Sequence, residues 1–514
     1  MKKYSVAVIV VIITIIAVFS LISFGKEKEI NFHNIISKVN QERKTILESE
    51  TINDINQYTY SVTGNKEGFA DEEIDTLLQP REVTQSMISR EDALEDADYL
   101  FRLLKYVYGG YGYYGGDKVF DQAKQKVINS INKKDTLSII DLKKIFLKHL
   151  SFITDGHMKI GRTFVNKKHV LEYYCNQQIE VSSNNQGFYY LVDNERRYIK
   201  SINCDNEVEK YLKLSINEDG ELVYYIGLLQ NDGNAMELLP IEYDLNSQIN
   251  KDEIKLTKVE RKIKQELTAF EEKTIEGIPI LTCRKFHDQL EDNTLKYFVE
   301  SGLKFKNEKV FIIDLRGNTG GSGLWSEFWF ENYTGVIPHT GISSFKRFSK
   351  LYLYREKRKQ NNEIGQFLEK YNMPKLNELV KNYYGSRSKA IGNKAYNTLE
   401  FDMARSKWVN NENIIFVLID KGVASSAEDF VEQLKTLDNV VFVGSNTKGC
   451  TDIQDQLRVY LPNSNLSVYF GVGLVMIKQY PHFIDGVGYE PDLWLDNDDI
   501  LERVIKLINR YDLK

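Results

Sequence analysis

The chain has 514 residues, more than one ordinary core accommodates, so length alone points to roughly two to four domains. Apolar residues make up 42% and charged residues 27%, a globular composition that excludes a disordered chain. Lys+Arg is 67 against Asp+Glu 73, a net charge of -6 that gives no general reason to bind nucleic acid, and four Cys in so long a chain exclude a disulfide scaffold. Cys175 and Cys204 stand close enough in sequence to pair in an oxidising compartment; reduced, buried thiols are the alternative.

Lys2 and Lys3 precede a run from Ser5 to Phe24 without a charged residue. As a helix, such a run rises about 30 Å, one hydrocarbon core. Residues 1–25 therefore read as a membrane-spanning signal anchor or as a cleaved signal peptide. The length of the run and the lack of a plain small-x-small site favour the anchor. No Cys follows, which excludes a lipoprotein anchor. In either case the two lysines stay in the cytoplasm and the rest is exported. The expected location is the cell membrane with the folded part outside the cytoplasm, or the medium if the signal is cleaved. Residues 26–88 read as a stalk or helical linker.

A helical domain is expected over 89–160. Ser89 and Asp92 outline a helix start, and Ala93, Ala97, Leu100, Leu103 and Leu104 continue at helical spacing. Tyr106–Gly116 breaks the pattern with five Gly and five Tyr. This loop either lines a peptide groove or packs between helices. Helical pattern resumes at Asp117–Ile131 and Ser138–Phe152 and stops at Asp155-Gly156. Over 161–270 the chain changes to short alternating runs, Phe188–Val192, Leu222–Leu229 and Lys255–Val259, a β-rich segment. From 271 to 514 apolar strands alternate with helices: Lys309–Leu315, Asn413–Asp420 followed by a helix over Ser426–Leu437, and Val440–Gly444. That alternation indicates an α/β core with a largely parallel sheet, whose reactive groups gather at the carboxyl ends of the strands. A segment at 341–408 interrupts it with 15 Lys+Arg and 6 Asp+Glu, a net +9. It reads as a solvated helical lid or as a positive collar that draws an anionic group toward the site.

Four turns carry candidate chemistry. Asp314–Gly321 (DLRGNTGG) places three Gly in five residues after a buried strand, and its free N–H groups suit an anion or oxyanion. Gly422–Glu428 (GVASSAE) puts Ser425 and Ser426 at a strand-to-helix turn, where a serine either exposes a nucleophilic hydroxyl or caps the helix. Thr154–Met158 (TDGHM) sets His157 at a tight turn. Asp485–Asp492 (DGVGYEPD) offers Asp485, Glu490 and Asp492, or is plain turn chemistry.

Taken in order, DLRGNTGG, ASSAE, VVFVGSNTKG and the closing Gly488-Tyr-Glu-Pro-Asp492 resemble the tail-specific (C-terminal processing) serine peptidases, in particular their tricorn-core-like branch. Asp155-Gly156-His157 is similar to that family's upstream Asp-Gly-His-Thr element, with Met158 in place of Thr. The resemblance covers about 90 to 160 and 270 to 500. It implies an α/β catalytic core of repeated β-β-α units, of the crotonase and Clp-protease kind, behind an N-terminal helical domain. It implies a serine peptidase that hydrolyses peptide bonds through an acyl-enzyme, trims protein C-termini, acts on a peptide or protein and needs no cofactor or metal. It also leaves open an inactive, ligand-binding member, since the family includes retinoid-binding relatives. In one of the family's layouts a Lys follows Thr-x-Gly; here Cys450 holds that place and Lys448 lies two residues early. The other layout implies Ser425 as nucleophile, His157 as base and Asp485 as the acid that orients it. The oxyanion donors are then the N–H groups of Ser426 and of Gly320 or Gly321. A neutral imidazole as base makes the rate rise through roughly pH 6 to 7. Recognition of a terminal carboxylate would fall to Arg347, Arg355, Arg358 or Arg387 in the basic insertion.

Overall fold

The computed structural model describes residues 30–49, 58, 68–82, 86–166, 170–231, 233, 235–259, 269–287, 294–357, 398–403, 406–477, 484–495 and 497–514. The apolar run expected to anchor or export the chain lies outside these residues. Among the described residues no helix is long and apolar enough to cross a membrane.

The fold is mixed α/β. The central sheet runs in the order Phe270–Ile275, Ile278–Cys283, Val310–Asp314, Ile414–Ile419, Val440–Gly444 and Leu493–Trp494. Its first pair is antiparallel and every later pairing is parallel. Three of the four inner strands, Val310–Asp314, Ile414–Ile419 and Val440–Gly444, are almost wholly apolar because both faces are covered. Phe311, Ile313, Ile415, Val417 and Phe442 pack under the helices Leu295–Phe305, Leu324–Thr334 and Ser426–Leu434. The alternate residues Ile312, Phe416, Leu418 and Val441 pack against Ile500–Arg510 and Phe32–Glu48.

That last helix departs from the stalk or linker reading. Phe32 is fully buried and stacks on Phe416 at 5.7 Å between ring centroids. Arg43 donates to the Val440 carbonyl at 2.7 Å and to both oxygens of Asp492 at 2.8 and 2.7 Å. Residues 32–48 are thus a structural layer of the central sheet.

A second sheet is antiparallel, in the order Thr398–Met403, Ile342–Phe348, Ser467–Ile477, Lys159–Ile160 and Thr163–Phe164, with Ile453–Tyr460 also paired to Ser467–Ile477. The two ends of the basic segment 341–408 are therefore sheet strands and not a helical lid. The helices Arg90–Tyr106, Gly116–Ile131 and Ile139–His149 share one apolar core with this sheet, so the helical segment is not separate from the rest. Ser89 accepts from the Asp92 N–H at 3.1 Å, the start read from the sequence. The Tyr-rich loop takes its packing reading: Tyr108 and Tyr111 are buried in that same core. The β-rich segment forms a third, antiparallel sheet, in the order Gln248–Lys255, Leu238–Leu245, Glu195–Ile202, Gly187–Val192, Leu171–Asn184, Leu222–Asn231, Leu212–Ile216. Cys175 and Cys204 do not pair; both are free thiols.

Candidate active site

The strand Val310–Asp314 ends in a buried carboxylate, which needs charge partners. Asp314 receives Arg316 Nε at 2.8 Å and Nη2 at 2.7 Å, and Arg284 Nη1 and Nη2 at 2.8 Å each. Burial alone would raise this carboxyl, but the two guanidiniums hold it well below the usual range. The braced strand end folds the glycine-rich loop against its neighbour. The Gly317 N–H donates to Asp420 Oδ1 at 2.8 Å, and the Asn318 carbonyl accepts the Ala424 N–H at 3.0 Å. Gly320 has φ +85°, and a Cβ there would lie 2.6 Å from the Ala424 oxygen and 2.8 Å from the Ser426 nitrogen. Only glycine lets these two loops touch.

Ser425 stands between Ile414–Ile419 and the helix Ser426–Leu434 with φ +57° and ψ −128°, a conformation that costs an L-residue on the order of 1–3 kcal/mol. An ordinary N-cap has extended backbone and a side-chain oxygen bonded to the first turn. Ser425 has neither: its hydroxyl makes no cap bond and lies 3.2 Å from His157 Nε2. Glu428 does the work of holding this turn. Fully buried, it accepts from the Ser425 N–H at 3.0 Å, the Thr447 hydroxyl at 2.6 Å, the Gly449 N–H at 2.7 Å and the Cys450 N–H at 2.9 Å. Burial raises its carboxyl to about 7 despite these donors.

His157 arrives on the turn between Ile139–His149 and Lys159–Ile160. Its backbone N–H donates to Asp155 Oδ1 at 2.7 Å, and the Tyr108 hydroxyl donates to Asp155 Oδ2 at 3.1 Å. The Tyr-rich loop therefore supports the histidine turn from behind. Burial first, and then the charges of Lys448 and Lys159, bring the imidazole down to about 4, while the Ile453 carbonyl acts the other way. Cys450 Sγ sits 3.5 Å from Nδ1 and 3.4 Å from Nε2. A Cβ on Gly156 would meet that sulfur at 2.9 Å, which explains the glycine before the histidine.

Two expectations need correction. Asp485 does not bond the imidazole. Its Oδ2 accepts the Gly156 N–H at 3.1 Å, and its Oδ1 accepts the N–H groups of Thr451 and Asp452 at 3.1 Å each. These three backbone donors make Asp485 pin the turn that carries His157, and no hydrogen bond joins its carboxylate to the ring. Gly320 is not an oxyanion donor either, because its N–H is committed to Asn318 Oδ1 at 2.9 Å. The N–H groups of Gly321 and Ser426 carry no hydrogen bond among the described residues, while the Ser426 hydroxyl donates to the Gly321 carbonyl at 2.8 Å and holds the two loops together.

His157, Gly321, Ser425, Ser426 and Cys450 open into a cavity of about 900 Å³. Of the four arginines expected at the site, Arg355 lines this cavity and pairs with Glu356 at 3.1 Å. Arg347 lies on the strand Ile342–Phe348; Arg358 and Arg387 lie outside the described residues. The same cavity is lined by Lys159, Lys448 and Arg458, the first two of which act on the His157 imidazole; sequence reading weighed only Lys448, as a displaced catalytic lysine. Glu428 and Asn318 were also missed. The Glu of ASSAE and the Asn of DLRGNTGG were their only signal. Among the described residues no cluster of His, Cys, Asp and Glu could hold a metal ion.

Residues 277–495 match the family model "Peptidase family S41". No curated protein matches the chain. Among solved structures, mature CPAF complexed with lactacystin is 14% identical, over 82% of this chain and 99% of that one, with a TM-score of 0.40. A putative peptidase from Parabacteroides merdae is 15% identical, over 82% and 97%, at 0.38. The photosystem II D1 C-terminal processing protease is 12% identical, over 81% and 94%, at 0.35. The match over residues 277–495, which contains the DLRGNTGG, ASSAE and GYEPD turns in order, makes this part of the chain similar to the peptidases of family S41.

Proposed function

We propose that the chain is an exported endopeptidase or C-terminal processing peptidase that works through an acyl-enzyme on Ser425. The observation that carries this reading is the 3.2 Å approach of Ser425 Oγ to His157 Nε2, beside the Gly321 and Ser426 N–H groups, which carry no hydrogen bond among the described residues. Ser425 Oγ attacks the peptide carbonyl as His157 Nε2 takes its proton. The oxyanion settles between the N–H groups of Gly321 and Ser426; one such donor is typically worth roughly 3–4 kcal/mol in the transition state. His157 returns the proton to the leaving amine, and water then hydrolyses the ester by the same route. Asp485 contributes as a positioning residue through the Gly156 N–H, and Ile453 supplies the carbonyl that faces the ring.

The missing imidazole–carboxylate bond favours a second reading, an inactive member that binds peptides in the cavity. A fluorophosphonate probe on the purified protein, mapped by mass spectrometry, separates the two. Covalent label on Ser425 supports the peptidase; an unlabelled Ser425 in folded protein leaves the binding reading. Export rests on Lys2, Lys3 and the run Ser5–Phe24, and protease added to whole protoplasts should digest residues beyond 30.

A further inference from the structure

The sheet register aligns a row of residues that lie far apart in the chain. Lys159 pairs with Phe164 on one side and with Tyr469 on the other, and Tyr469 pairs in turn with Arg458. All four line the cavity that holds Ser425. The Lys159 ammonium lies 4.2 Å from the centre of the Phe164 ring and 5.7 Å from that of Tyr469. The Arg458 guanidinium lies 5.6 Å from the Tyr469 ring, and Lys448, beside His157, reaches the Phe164 ring at 5.4 Å. The result is a ladder of three cations and two aromatic rings along one wall.

Cations so close repel one another, and folded proteins normally set a carboxylate among them. Here the repulsion stands: burial lowers the Lys159 ammonium, and Lys448 and Arg458 lower it further. Among the described residues no carboxylate pairs with Lys159, Lys448 or Arg458. Carboxylates that share the cavity have other partners: Glu356 has Arg355, Asp455 has Lys346, and Asp429 has the Gln454 amide.

We propose that the Lys448–Phe164–Lys159–Tyr469–Arg458 ladder is a substrate subsite that takes a carboxylate of the peptide, either an acidic side chain near the scissile bond or the free C-terminus. The inference rests on the peptidase reading of Ser425 and deepens it by naming the substrate class. The rings cover the apolar stem of the substrate residue, and the cations meet its charge. A seated carboxylate also offsets the charges of Lys448 and Lys159 that weigh on the His157 imidazole, so it helps the base as well as the binding.

The test takes a peptide that the enzyme cleaves. It is remade with Glu or Gln at each position within three of the scissile bond, and with a free or an amidated C-terminus. One position, or the free terminus, should raise kcat/KM about tenfold over its neutral twin at low salt, and high salt should shrink the ratio. The position that responds tells a side chain from a terminus. The ratio should collapse in the double variant Lys159→Gln/Arg458→Gln. Equal rates at every position, or a preference that survives in that variant, overturns the subsite. A second arm does not depend on turnover. Ser425→Ala protein is titrated with a rhodamine-labelled Glu-containing peptide and with its Gln twin. Tighter binding of the Glu peptide, lost on adding Lys159→Gln/Arg458→Gln, supports the subsite even if no peptide is cleaved, in which case only the peptidase reading fails. Equal binding of the two peptides overturns the subsite while cleavage, if observed, still stands.

Discussion

The backbone of Ser425 makes the nucleophile and the N-cap readings separable in one experiment. Ser425→Ala should abolish peptidase activity while the melting temperature stays within a few degrees, because no cap bond is lost. Ser425→Gly should also be inactive yet more stable by about 1 kcal/mol, since φ +57° with ψ −128° strains any residue with a Cβ. Ser426→Ala serves as contrast: it removes the bond to the Gly321 carbonyl and should lower the rate by misplacing the oxyanion donors, without removing the nucleophile. The pH profile carries a second prediction. His157 must be neutral to act, and burial with Lys448 and Lys159 nearby holds its imidazole at about 4. The acid limb of kcat/KM should therefore lie well below the pH 6 to 7 expected of an ordinary histidine. Lys448→Gln removes a like charge, raises the imidazole and should move that limb toward neutrality. A limb at pH 6 to 7 in the wild type, unmoved by Lys448→Gln, would count against His157 as the base. The sequence motifs named both residues of the Ser425–His157 pair that the fold brings to 3.2 Å. They could not foresee how His157 is tuned, since its neighbours come from three separate strands and turns.

Among the elements, the loops at the carboxyl ends of the parallel strands are held by buried ionisable groups, and these should govern stability. Arg284→Met leaves Asp314 with one guanidinium and should cost about 3 kcal/mol or more, read by urea unfolding. The Asp314 carboxyl is depressed in the folded state, so its contribution is present at neutral pH and lost as acid protonates it. Glu428 has the opposite sign. Its folded value near 7 exceeds the unfolded one, so the folded chain binds the extra proton and this group's contribution falls as pH rises from about 4.3 to 7. The strands were legible because both faces are buried and the runs are continuous: Val310–Asp314, Ile414–Ile419 and Val440–Gly444 fall within the runs read from the sequence. The role of Asp485 was not legible. A carboxylate before Gly-x-x-Pro-Asp announces its type, but only the folded turn shows three backbone N–H groups donating to it. Charge counting along the chain pointed to the basic insertion, whereas strand register brings Lys159 and Arg458 to either side of Tyr469 and the turn after Val440–Gly444 brings Lys448 to Phe164.

For the molecule as a whole, the surprise in the sequence is how far its ends reach into the middle. Arg43 from the first described helix and Asp492 from the last turn form a pair with side chains 9% and 14% exposed, and Asp492 Oδ2 also accepts the Phe442 N–H at 2.7 Å. Arg43→Ala should cost about 3 kcal/mol by stranding that carboxylate, whereas Lys38→Ala, which breaks an exposed pair with Glu42, should change stability by less than about 1 kcal/mol. A polar, patchily apolar segment such as 26–88 looks like a linker because one buried face on one helix is a weak periodic signal. The docking of this helix also bears on the anchor, one of the two readings of the apolar run. Its cap is Asn31, and the apolar run ends at Phe24. Seven peptide links can span at most roughly 25 Å, less than the thickness of a bilayer with its headgroups. An anchored enzyme would thus ride on a leash shorter than its own body, pressed to the outer leaflet. It would then reach only those protein tails that emerge beside it, and lengthening the leash with a glycine–serine insert after Gly25 should widen that reach.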